Sequence, residues 1–113
     1  MHTKYDVNNS QSPVTLFLES GYGQLTHSKI YLDKDVIHQQ DGNLQFVLGK
    51  NVDLQGKSLS IYTIVKDVQP STNTTAIRFK ITGGVKDESW PAIVQEVKKK
   101  GGYAYYNVVI FFY

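Results

Sequence analysis

The chain has 113 residues, of which 41% are hydrophobic, with twelve Lys and Arg against ten Asp and Glu for a net charge of +2. One domain of this size buries enough apolar surface to fold without a disulfide or structural metal. Absent cysteines exclude disulfide scaffolds, thiol nucleophiles, iron–sulfur clusters and cysteine zinc sites. Uncharged apolar runs reach about six residues against the ~20 of a membrane helix, and no signal peptide is visible at Met1. The expectation is a chain with no transmembrane segment, and its compartment is not legible.

Residues 1–12 are polar, include Asn8-Asn9 and lead to Pro13. They read as a flexible N-terminal arm, and the domain proper as 13–113. From Val14 on, short period-two segments alternate with Gly, Asn, Asp and Pro clusters, which is the pattern of half-buried strands. Val14, Leu16 and Leu18 share one face before the Gly21-Tyr22-Gly23 turn. Ser28 to Leu32 is a second strand with Ile30 and Leu32 inward, and Asp41-Gly42-Asn43 is a turn. Leu44, Phe46 and Leu48 then share a face, and Leu54 returns to the core from the following connection.

Leu59, Ile61, Thr63 and Val65 define the next inward face, and Thr75, Ile77, Phe79 and Ile81 the clearest one, closed by Gly83-Gly84. Two readings are open for residues 89–100. As a helix, Ser89 caps, Pro91 sits in the first turn and Gly101 terminates. As a strand, which the β-branched residues favour, Ile93 to Val97 pairs with Tyr103 to Asn107. The last segment, Tyr103 to Tyr113, is apolar on both faces, which predicts a central strand or a subunit interface. Six to eight strands at this spacing predict an all-β, single-domain antiparallel β-sandwich with Greek-key or immunoglobulin-like connections, possible short helix at 90–100 included; a small barrel is the alternative.

Catalytic signals are weak. Asp33-x-Asp35-x-x-His38-x-x-Asp41 gathers carboxylates as a hard cation requires, yet His38 and Leu44 stand where a calcium loop needs glycine and a bidentate acid. A solvated connection explains the same residues, so no metal is assigned. No nucleophile elbow and no phosphate loop is present, and no cofactor is implied. His27 and His38 would support a catalytic reading only with carboxylate partners in a shared pocket.

Two features point to binding. Lys98-Lys99-Lys100 runs through a glycine pair into Tyr103 and Tyr105, placing positive charge beside aromatic surface. Residues 77–113 hold six basic side chains against three acidic ones, while residues 1–76 hold six against seven. That mild asymmetry weighs against nucleic acid. Trp90, between a polar loop and Pro91, is the best aromatic for a ligand platform, beside Tyr22, Tyr62, Tyr103, Tyr105 and Tyr113. The expected function is a non-catalytic module that binds another protein or assembles with itself through a sheet edge. A carbohydrate-binding module using exposed Trp and Tyr is the alternative.

Overall fold

The structure, a computed structural model, describes residues 1–99 and 101–113. Two five-stranded sheets face each other across one apolar layer. In chain order the strands are β1 (His2–Tyr5), β2 (Pro13–Ser20), β3 (Leu25–Leu32), β4 (Asp35–Asp41) and β5 (Leu44–Lys50). A single helical turn, α1 (Asn51–Leu54), leads to β6 (Ser58–Lys66), β7 (Thr74–Thr82), β8 (Glu88–Ser89), β9 (Ile93–Glu96) and β10 (Tyr103–Phe112). The first sheet has the order β1-β10-β6-β3-β4. The second runs β5-β2-β7-β8, with β9 also pairing to β7. All pairings are antiparallel except β1 with β10. The expected β-sandwich is the observed architecture.

Alternation selects the core. Val14, Leu16, Leu18, Ile30, Leu59, Ile61, Val65, Ile77, Phe79 and Ile81 are all buried, as their period-two spacing predicts. Leu54 also returns to the core, carried by α1. On β10 the even residues Ala104, Tyr106, Val108, Ile110 and Phe112 are buried and the odd ones face out. A one-residue slip of β10 against β6 would exchange those two sets, so the core enforces the register.

Most buried polar side chains are paired, although Thr26 Oγ1 and Asp67 Oδ2 are buried without a partner. Thr75 donates to the Gln95 carbonyl at 2.9 Å, which leaves the Tyr106 hydroxyl to donate to Thr75 Oγ1 at 2.7 Å across the sandwich. Ser28 and Thr63, both buried, share a 2.8 Å hydroxyl bond. Buried Gln24 uses its whole amide, donating to Asp67 Oδ1 and the Thr74 carbonyl while accepting from the Val68 and Gln69 amides. It thereby fastens the β6–β7 connection to the start of β3.

Three segments differ from the sequence reading. Residues 1–12 belong to the sandwich. β1 pairs with the end of β10, Tyr5 is buried against Phe112, and Val7 donates to the Tyr113 carbonyl at 2.8 Å. Asn51 holds the remainder, donating to the Ser12 and Gly83 carbonyls and accepting from Asn8. Residues 33–41 form an edge strand and its turn, not a solvated connection, because β3 offers it an open backbone edge. No helix forms among the described residues 90–99, Lys100 lying outside them, and residues 93–96 form a strand. Its partner, however, is β7 in the opposite sheet, through Ile77↔Ile93 to Thr74↔Glu96. The loop from β9 into β10 changes sheets, so Ile93 to Val97 does not pair with Tyr103 to Asn107. β9 instead takes the edge of β7 at Thr74–Ile77, beside the short β8 pairing at Lys80–Ile81.

Gly83 and Gly84 permit the close approach of residues 5–14. Gly83 has φ +96°, and a Cβ there would overlap the Pro13 carbonyl oxygen. A Cβ at Gly84 would meet the Tyr5 ring, whose hydroxyl accepts the Gly84 amide at 2.8 Å.

Two outcomes follow. Asn51→Ala removes the side-chain partners of the part-buried Asn8 amide and Gly83 carbonyl, while the Ser12 carbonyl keeps the Asn51 backbone N–H, so it should cost about 1–3 kcal/mol by urea denaturation. Burial raises the Tyr5 phenol above its ordinary 10.0, helped by Asp87 and Glu88 against the Gly84 hydrogen bond. Burial likewise raises Tyr106. The folded state therefore holds these protons more tightly than the unfolded chain, and the stability they contribute is complete below pH 10 and lost above it. The melting temperature should fall above about pH 10, less steeply in Tyr106→Phe.

Candidate functional site

The outward face of the first sheet is set by residues that the core leaves over. Reading across β10, β6 and β3, Tyr103, Lys66 and Leu25 form one row, and Tyr105, Ile64 and His27 the next. Asn107, Tyr62 and Lys29 make the third, followed by Val109, Ser60 and Tyr31. Leu25, Tyr103 and Tyr105 are 60%, 53% and 66% exposed, and Ile64, Tyr62 and Phe111 are exposed as well. Neighbouring rows are within reach of aromatic side chains, and Tyr31 meets Tyr62 edge-on with ring centroids 5.5 Å apart. The result is a continuous aromatic and aliphatic surface over three strands. A hollow of about 480 Å³ opens at one end of it, walled by Leu25, Ile64, Tyr103, Lys66 and His27.

The second sheet contrasts. Its outward side chains include Glu19, Arg78, Lys80, Gln45 and Glu96, and Phe17 is covered by the Lys80 ammonium 4.6 Å from its ring centre. Only scattered aliphatics such as Val47 and Val94 are exposed there. An exposed apolar surface confined to one sheet is the kind that marks a contact site.

The residues singled out from sequence divide. Tyr103 and Tyr105 stand exposed on this face, side by side with Tyr62 and Ile64. Lys98 and Lys99 are exposed in the loop that delivers the chain to Tyr103, and Lys100 lies outside the described residues. Trp90 is elsewhere and is no free platform. It is half-buried against the core, stacked on Phe79 with centroids 4.8 Å apart, and its indole N–H donates to Thr3 Oγ1 at 3.3 Å. The indole closes the open side of the sandwich between β7 and β1, where a large ring buries more area than a smaller side chain could. The opposite side is closed by His38 stacked on Phe46, 4.3 Å between centroids.

Ile64 and Leu25 are the members that the sequence reading missed, and Tyr62 was named there only as one exposed aromatic, not as a neighbour of Tyr103 and Tyr105. Their signal was present, since Tyr62 and Ile64 alternate with the inward Leu59-to-Val65 set. What joined them to Tyr103 and Tyr105 is the adjacency of β6 and β10, which alternation does not encode.

The acidic run does not converge. His38 turns to Gln40 Oε1 at 2.9 Å, while Asp41 points outward to His27, with 2.6 Å between Nδ1 and Oδ1. Among the described residues no group of three or more potential metal-ligating side chains gathers. His27 does have a carboxylate partner, so one element of a catalytic dyad exists at the rim of the hollow. The pair is exposed, and Ser28 beside it turns inward to Thr63. No hydroxyl nucleophile bonds to His27 among the described residues.

Comparison with known proteins finds no matching family model, no matching curated protein and no matching solved structure.

The two classes of aromatic should separate on substitution. Tyr105→Ala and Tyr103→Ala remove largely solvated rings and should each change unfolding free energy by less than about 1 kcal/mol. Trp90→Ala opens the sandwich edge and should cost about 2–3 kcal/mol by the same denaturation.

Proposed function

We propose that the chain is a non-catalytic interaction module that binds another protein, or a second copy of itself, through the outward face of its first sheet. The observation that carries this reading is the row-by-row adjacency of exposed Tyr103, Tyr105, Ile64, Tyr62 and Leu25 on β10, β6 and β3. Tyrosine supplies contact area with few rotors and a hydrogen-bonding tip, which is why it concentrates in protein interfaces. The immunoglobulin-like quality of the module, in this reading, is a rigid two-sheet scaffold that displays a recognition surface.

The proposed route differs from strand addition at β10. β6 flanks β10 along most of its length and β1 flanks Val109–Phe112. Beyond β1, Gln95 donates to the Tyr105 carbonyl at 2.8 Å and the Met1 amine to the Asn107 carbonyl at 3.0 Å. Those bonds blunt the remaining edge, so the face is the better surface. The carbohydrate alternative loses Trp90 and rests on the tyrosines alone.

The test is site-specific photo-crosslinking, with benzoylphenylalanine in place of Tyr105 on the first sheet or Arg78 on the second. Adducts should form at position 105 and not at 78, while light scattering tells a second copy from a different protein. Absence of adducts at 105, or equal adducts at both positions, would overturn the reading.

A further inference from the structure

Building on that reading, we infer that the outward face of the first sheet accepts an extended, acidic polypeptide segment that carries apolar side chains between its carboxylates. The argument begins with charge. Three lysines project from this face, Lys66 opposite Tyr103 and Leu25, Lys29 opposite Tyr62, and Lys4 opposite Phe111. All three are exposed. Asp41 is the carboxylate among its strand residues, and His27 already engages it at 2.6 Å. Asp33 and Asp35 lie beyond, at the β3–β4 turn, and Asp6 is exposed just past β1 at the far end.

Apposing two copies would set three lysines against three, so charge favours a partner of opposite sign over self-docking. The lysines are also spaced rather than clustered. Lys66 and Lys29 lie four positions apart in the β6–β3 frame, roughly 13 Å, and Lys66 and Lys4 are separated by about eight, roughly 26 Å. The surface between them is aromatic and aliphatic. That distribution suits a strand-like segment whose carboxylates reach lysines and tyrosine hydroxyls while its apolar side chains lie on Tyr105, Ile64 and Tyr62 and enter the hollow at Leu25. A phosphate backbone would instead want contiguous basic residues along one track.

The experiment uses the full chain and three fluorescent probes in anisotropy titrations. They are a ten-residue peptide alternating Glu with Leu, its Lys-for-Glu counterpart, and a ten-nucleotide oligothymidylate. The acidic peptide should bind best and weaken about fivefold or more between 50 and 500 mM NaCl. The double variant Lys29→Glu/Lys66→Glu should weaken it about tenfold or more, whereas Arg78→Glu/Lys80→Glu, the same charge change on the opposite sheet, should leave it within about twofold. Circular dichroism confirms that both variants fold. Equal binding of the basic peptide, tighter binding of oligothymidylate, or equal losses in the two double variants would each overturn the inference. None of these results alters the crosslinking at position 105, so the assignment of the face and the chemistry of its partner fail separately.

Discussion

The pairing of β10 with β6 is the constraint on which the rest depends. The even residues of β10 complete the core, and Tyr106 reaches across it to Thr75 on the opposite sheet. Because strand side chains alternate, committing those residues inward commits Tyr103, Tyr105 and Phe111 outward. The same register aligns Tyr105 with Ile64 and Asn107 with Tyr62. The aromatic surface is therefore built by the core, although the core does not need those rings to be aromatic. Polar residues at the odd positions would satisfy folding equally well, and that excess of exposed apolar area is what the proposed partner would cover.

The open sides of the sandwich are managed differently from its face. Trp90 on Phe79 closes one side and His38 on Phe46 the other, while Gln95 and the chain's amino group occupy carbonyls along the exposed stretch of β10. Edges that are capped discourage strand-to-strand association, and a face left uncovered invites lateral docking. In the proposed reading, the capped stretch of β10 leaves the uncovered face as the surface for side-chain contact. Polar clusters at the loops serve the same scaffold, since Gln24 and Asn51 each tie together segments far apart in the chain without leaving their own amides unpaired.

Much of this was legible in local pattern. The inward set on β2, β6 and β7 follows from period two, whereas on β10, apolar on both faces, only the pairing with β6 chose the even residues for the core and left Tyr103 and Tyr105 outside. The edge strand at 35–41 was not legible, because Asp35, Gln39, Gln40 and Asp41 read as loop chemistry and gain strand geometry only from β3. Residues 1–12 read as an arm for a similar reason. Tyr5 and Val7 are two apolar residues in a polar stretch, and their burial depends on Gly83 and Gly84 leaving room for them.

By itself, the sequence determined the all-β class, the single layer of core and the face on which most strand residues lie. Each is a property of a few consecutive residues, carried by the pleat and by turn-forming Gly, Asn and Asp. Tertiary structure alone decided which strands are neighbours. It sent β9 to β7 across the sandwich, drew β1 against β10, and turned Trp90 from a candidate platform into a seam. Those choices depend on which backbone edges and apolar gaps remain once the long strands have paired. That competition runs over the whole chain, so no local window contains it.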